Sequence, residues 1–216
     1  MIASLAIAFV LFVQAAVPFL MIPTLGQAVW TTGFSQSLAN GPLFDFHAHD
    51  FGIPRPAAIA FGLAGAWPAS LLIRVGLHPA DAYAGMAALW LGLAMFSACQ
   101  IARRFGATRS IALLGAVTWM TMPIIWAHAD YSMLSLGIAL LSFYFLAAFR
   151  LFLIESEATR IAPTAIALYF VAAIISVFMD GYTFMMFATG ASILLLHSLI
   201  TRPEIRTALI KVAISS

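Results

Sequence analysis

The sequence predicts an all-α protein, a polytopic transmembrane helix bundle of about six spanning helices with an interfacial or re-entrant segment in its long first external loop. Three observations predict it. Of the 216 residues 63% are hydrophobic and 8% charged, with a mean hydropathy of +1.04, whereas a soluble domain of this length needs far more charge to coat its surface. The apolar residues gather in runs near the ~20 residues that a bilayer-crossing helix requires. Lysine and arginine divide unevenly over the connections between those runs, as they do in membrane proteins with a defined orientation.

In chain order, the first run extends from about Ile2 to Ile22, with only Ser4, Gln14 and Pro18 interrupting it. It lacks the basic leader and small-residue cleavage site of a signal peptide and reads as a retained helix. A loop from Pro23 to about Pro79 follows, which carries Gly, Pro, Asn and Ser. Within it Ala57 to Val75 is apolar but is interrupted by Gly62, Gly65 and Pro68 and closed by Arg74, and it reads as the interfacial or re-entrant segment. Five further spans are expected at Ala80 to Ile101, Ile111 to Ala127, Leu134 to Ile154, Ile161 to Met179 and Thr183 to Ile200. The whole chain is one membrane domain.

On this topology Arg103, Arg104, Arg109, Arg150, Arg160, Arg202, Arg206 and Lys211 share one side, against Arg55 and Arg74 on the other. The first side is expected to be cytoplasmic, with both ends of the chain inside and the long loop outside. Asp45, Asp50, Asp81, Asp130 and Asp180 then all lie outside, and Glu155, Glu157 and Glu204 inside. The net charge of +2 is spread along the chain and forms no nucleic-acid patch. The single cysteine, Cys99, excludes a disulfide within the chain and a cysteine-based metal site.

The densest cluster of chemistry-bearing residues is Phe44-Asp45-Phe46-His47-Ala48-His49-Asp50-Phe51-Gly52. In an extended segment the period of two puts Asp45, His47 and His49 on one face and Phe44, Phe46 and Ala48 on the other. Two imidazoles and a carboxylate could hold a divalent metal ion, or a carboxylate base could be paired with imidazoles that polarise a substrate. His47-Ala48-His49-Asp50 also resembles the start of a binuclear metallohydrolase signature, but Phe51 stands where a histidine would continue it. His128 and Asp130 fall in the connection between the third and fourth expected spans, and Asp180-Gly181-Tyr182 between the fifth and sixth. Asp45, Asp50, His128 and Asp130 are expected to meet at one cavity on the outer face. Asp180 and Asp81 also suit helix starts and turns, and Arg74 suits either a phosphate clamp or snorkelling to headgroups.

A first helix, a long external loop carrying an acidic motif, and paired helices with short connections resemble the N-terminal part of a bacterial GT-C type glycosyltransferase. The run Gly52-Ile53-Pro54 through Trp67-Pro68-Ala69-Ser70-Leu71-Leu72-Ile73-Arg74-Val75-Gly76-Leu77, then Ala80-Asp81-Ala82-Tyr83, Arg103-Arg104-Phe105-Gly106 and Leu113-Leu114-Gly115-Ala116, carry the resemblance. Phe44-Asp45 is similar to the loop motif of protein O-mannosyltransferases, except that Phe46 occupies the second acidic position, which leaves Asp45 and Asp50 as alternative bases.

The resemblance implies transfer of a sugar from a polyprenyl-phosphate carrier to an acceptor on the extracytoplasmic side of a bacterial inner membrane. Asp45 or Asp50 would take the acceptor's proton. His128, Asp130, Asp180 and Arg74 would contact substrate, and Arg74, His47 or a divalent metal on His47 and His49 would stabilise the departing phosphate. The alternative is a non-enzymatic transport or envelope-assembly protein with an external ion or proton site. Against it, the spanning runs carry hardly any ionisable residues. Because apolar character rises again over Ile205 to Ile214, the chain is expected to be the N-terminal piece of a longer protein.

Overall fold

The computed structural model describes residues 2–21, 27–42, 45–49, 55–58, 62–125, 133–154 and 162–201. It is built of helices: α1 (Ile2–Val13), α2 (Gln27–Asn40), α3 (Leu63–Arg74), α4 (Pro79–Arg104), α5 (Arg109–Met120), α6 (Met133–Phe149, continued by a π-helical turn over Arg150–Ile154), α7 (Pro163–Met179) and α8 (Gly181–Thr201). Two strands of two residues each, β1 (His47–Ala48) and β2 (Ala57–Ala58), pair antiparallel, with His47 opposite Ala58 and Ala48 opposite Ala57.

Three helical stretches are long and apolar enough to cross a membrane: Pro79–Arg104, Leu136–Leu153 and Gly181–Thr201. The other three expected spans are also apolar helices but shorter: α1 and α5 have 12 residues each and α7 has 17. The first run therefore does not continue as one helix to Ile22. Ala15 and Phe19 take left-handed backbone angles, φ 50° and 65°, conformations that L-residues adopt at a cost. Pro18 between them has no N–H for a helical bond. Within the long loop, the apolar segment folds as β2 and α3. The helix α2 was not expected, because Gln27–Asn40 carries no apolar stripe.

The outer surface identifies the surroundings. Phe9, Phe12, Leu114, Phe170, Ile193, Leu196 and Ile200 are all exposed large hydrophobic side chains on the apolar helices, a surface suited to lipid rather than water. Between helices the packing is close instead. The most extensive contact is α4 against α6, and small residues of both helices are buried, among them Ala84, Ala87, Ala94 and Ser97 of α4 and Ala139, Ala147 and Ala148 of α6. Small residues let two backbones approach in lipid, where hydrophobicity alone gives helices no reason to associate. Side-chain hydrogen bonds to backbone add to this: Ser142 Oγ to the Ala94 carbonyl (2.8 Å), Ser198 Oγ to Phe152 (2.6 Å) and Gln14 Nε2 to Met120 (2.7 Å).

The helices alternate in direction, which sorts the charges. Phe105 and Phe149 meet edge to face at 5.6 Å, so α4 and α6 finish at the same end. There Arg103, Arg104, Arg109 and Arg150 gather. At the opposite end Asp81 Oδ1 accepts the Phe19 N–H (2.9 Å) and the Gly62 N–H bonds the Met179 carbonyl (3.1 Å). Asp45, Asp81 and Asp180 all belong to that end. Two turns repeat one design: α3 and α4 each end in arginine, then a glycine at φ 99° (Gly76) or 89° (Gly106). A bond from Leu77 N to the Leu72 carbonyl, or from Ala107 N to Ala102, closes the helix, a left-handed stop that favours glycine. His78 or Thr108 then caps the next helix.

Candidate functional site

Asp45 lies just ahead of β1, and the short hairpin sets the geometry around it. Ala48 is fully buried against Leu38 and Ala66, which pins the strand and turns its neighbours His47 and His49 outward. The expected alternation is realised for these three residues. Phe46 departs from it: it is exposed and packs instead on Phe178 of α7, ring centroids 6.0 Å apart.

Both histidines converge on the Asp45 carboxylate. His49 Nε2 is 2.7 Å from Oδ2, His47 Nδ1 is 3.5 Å from Oδ1, and the His47 backbone N–H donates to Oδ1 at 2.9 Å. The backbone N–H of His47, followed by the His49 imidazole, holds the Asp45 carboxyl below the ordinary carboxylate range, because both favour its charged form. The imidazoles are thus partners of the carboxylate. Among the described residues no group of three His, Cys, Asp or Glu side chains is arranged to hold a metal ion.

A depressed pKa stabilises the folded hairpin above the ordinary carboxylate range, and that contribution is lost as pH falls through the lowered value. In a carboxyl-carbon NMR titration the Asp45 midpoint is expected below that of an ordinary aspartate, and His49→Ala should move it upward. An unchanged midpoint in His49→Ala would remove His49 from the site.

Asp45 is also one of the residues lining a cavity of about 330 Å³. Its walls are apolar: Phe46, Leu63, Trp67, Trp90, Ile174 and Phe178 contribute, from the hairpin, α3, α4 and α7. The indole N–H of Trp90 is satisfied by the Ala64 carbonyl (3.1 Å), so that ring offers the cavity only its apolar surface. Nothing in the sequence marks this slot, since its lining comes from segments more than a hundred residues apart.

Other expected site residues have different partners. Asp180 caps α8, its Oδ2 accepting the Thr183 N–H at 2.9 Å. Arg74 donates to the carbonyls of Leu38 (2.8 Å) and Gly41, tying the end of α3 to the end of α2, where a cation suits the helix C-terminus. Neither lines the Asp45 slot. Asp81, expected only to favour a helix start, also anchors the Phe19 backbone. Asp50, His128 and Asp130 lie outside the described residues, as does the chain beyond Thr201.

Comparison with protein-family models, curated proteins and solved structures finds no match to this chain.

Proposed function

We propose that the chain belongs to a membrane glycosyltransferase that moves a sugar from a polyprenyl-phosphate carrier to an acceptor on the extracytoplasmic side. The observation that carries this reading is Asp45, whose carboxylate is held ionised by the His47 backbone N–H and the His49 imidazole and which also lines an apolar slot. An ionised carboxylate can take a proton from an attacking hydroxyl, and an apolar slot lined by the same residue suits a donor delivered on a hydrocarbon chain. On this reading His47 and His49, both exposed beside Asp45, would share the charge of the departing phosphate. An ion or proton pathway is less well supported, because the charged side chains among the described residues stand at helix ends and in loops rather than at depth. The deciding experiment supplies membranes containing the protein with a panel of polyprenyl-phosphate sugars and looks for product by mass spectrometry. No product across the panel, with the protein folded and inserted, would defeat the reading.

The proposed arrangement in the membrane has six membrane-inserted apolar helices, both ends of the segment cytoplasmic, and the arginine-rich end of the bundle inside. In a background lacking Cys99, single cysteines at positions 45 and 180 should react with an impermeant reagent on intact cells, and one at position 104 only after permeabilisation. Reversed labelling would invert the topology.

A further inference from the structure

At the end of the bundle opposite Asp45, α1, α4 and α5 line an open cavity of about 610 Å³. Along the helices its lining is apolar, with Ala6, Leu113 and Val117, and it also takes in Arg103, Arg109 and Gln100. Two arginines therefore share the lining of one cavity. Among the described residues neither forms an ion pair with a carboxylate: the ion pairs there are those of Asp45. Arg103 spends one N–H on the Ala107 carbonyl at 3.3 Å, which helps to close the α4–α5 turn. Among the described residues no other side-chain hydrogen bond or ion pair engages either guanidinium.

We infer that this cavity holds an anionic phospholipid of the adjoining leaflet, its phosphate on Arg103 and Arg109 and an acyl chain along α1 and α5. A phosphate accepts the forked donors of arginine. A free anion would satisfy the guanidiniums but leave the apolar walls uncovered, whereas an acyl chain covers them. The helices forming that wall are also short: 12 residues of α5 rise about 18 Å, against roughly 30 Å of hydrocarbon, and a lipid seated beside them fills the shortfall. Basic pockets between membrane helices hold anionic headgroups by the same chemistry. The inference requires membrane insertion but not the reading of Asp45, so the two fail separately.

The test uses native mass spectrometry of the protein released from mixed-lipid nanodiscs, comparing phosphatidylglycerol with phosphatidylcholine of the same acyl chains. Phosphatidylglycerol should be retained in preference, and Arg109→Gln should weaken that retention by about fivefold, the effect of one cation near an anionic headgroup. Arg109 makes no hydrogen bond or ion pair among the described residues and is exposed, so this variant should fold. Arg104→Gln removes the same charge from the same end without touching the cavity lining, and should leave retention unchanged. Leu113→Trp, which fills the apolar part, should lower retention while the arginines remain. Soluble glycerol phosphate in excess should fail to displace the lipid. Equal losses in Arg104→Gln and Arg109→Gln would mean diffuse surface attraction and overturn the site. Displacement by glycerol phosphate would reduce it to an anion site without a lipid chain, and equal retention of the two lipids would end the proposal.

Discussion

Asp45→Asn should lower transfer by roughly two to four orders of magnitude, the range that removal of a general base produces, while leaving the protein folded. Asparagine is nearly isosteric with aspartate. Its carbonyl can still accept the His47 N–H that Oδ1 accepts now, and its amide can donate to His49 in the appropriate tautomer. The hairpin is held by Ala48 in its pocket beneath α2 and α3, which the substitution does not touch. His49→Ala should cost less, on the order of tenfold, since it removes a partner of the carboxylate rather than the carboxylate itself. The comparison with Asp50→Asn decides between the two candidate bases: full activity in Asp45→Asn with activity lost in Asp50→Asn would transfer the role to Asp50. Rates in inserted, correctly labelled protein are the measurement.

Gly137→Ala is expected to destabilise the bundle by about 1–3 kcal/mol, the usual cost of forcing a methyl into a packed core. A Cβ at Gly137 would fall 2.5 Å from Thr183 Oγ1 and 2.8 Å from its Cγ2, closer than real contacts allow. Thr183 cannot easily give way. It is fully buried, its N–H holds the Asp180 cap, and its hydroxyl bonds the Asp180 carbonyl at 3.2 Å. The damage should therefore reach the start of α8. Pairing Gly137→Ala with Thr183→Ala removes both clashing atoms, so the double variant should be more stable than the sum of the two single losses predicts. Thermal unfolding in detergent measures the cycle. Strict additivity would show that the α6–α8 contact relaxes without cost.

The glycosyltransferase reading and the bundle's energetics meet at the Asp180 end. Asp180 suits both a turn and a substrate contact, and its carboxylate is engaged as a helix cap. Arg74 was a candidate phosphate clamp, and its guanidinium is engaged with backbone carbonyls of α2. In both cases the residue type suits either role equally: a carboxylate near a helix start and an arginine near a helix end look the same in a sequence whether they face a ligand or the backbone. Asp45 differs because its imidazole partners are two and four residues away, within the same short segment.

Local spacing therefore made legible what depends on near neighbours. The apolar runs placed the positions of α1, α4, α5, α6, α7 and α8, since an unbroken apolar stretch is stable as helix wherever backbone groups must satisfy one another. Alternation in Asp45-Phe46-His47-Ala48-His49 placed one carboxylate and two imidazoles on a common face, since adjacent side chains of an extended chain point oppositely. The length of α1 was decided elsewhere, by left-handed Ala15 and Phe19 and by Asp81, 62 residues on, which takes the Phe19 N–H. Helix α2 formed without an apolar stripe, against α3 and α4, so packing supplied what its own sequence lacks. The two cavities are tertiary products entirely. Trp67, Trp90 and Phe178 are apolar residues among many until α3, α4 and α7 bring them beside Asp45, and Arg103 and Arg109 are topology signals until α1 closes a wall beside them. Which side chains share a cavity depends on how helices distant in the chain approach, and that is a property of their packing rather than of any one segment's pattern.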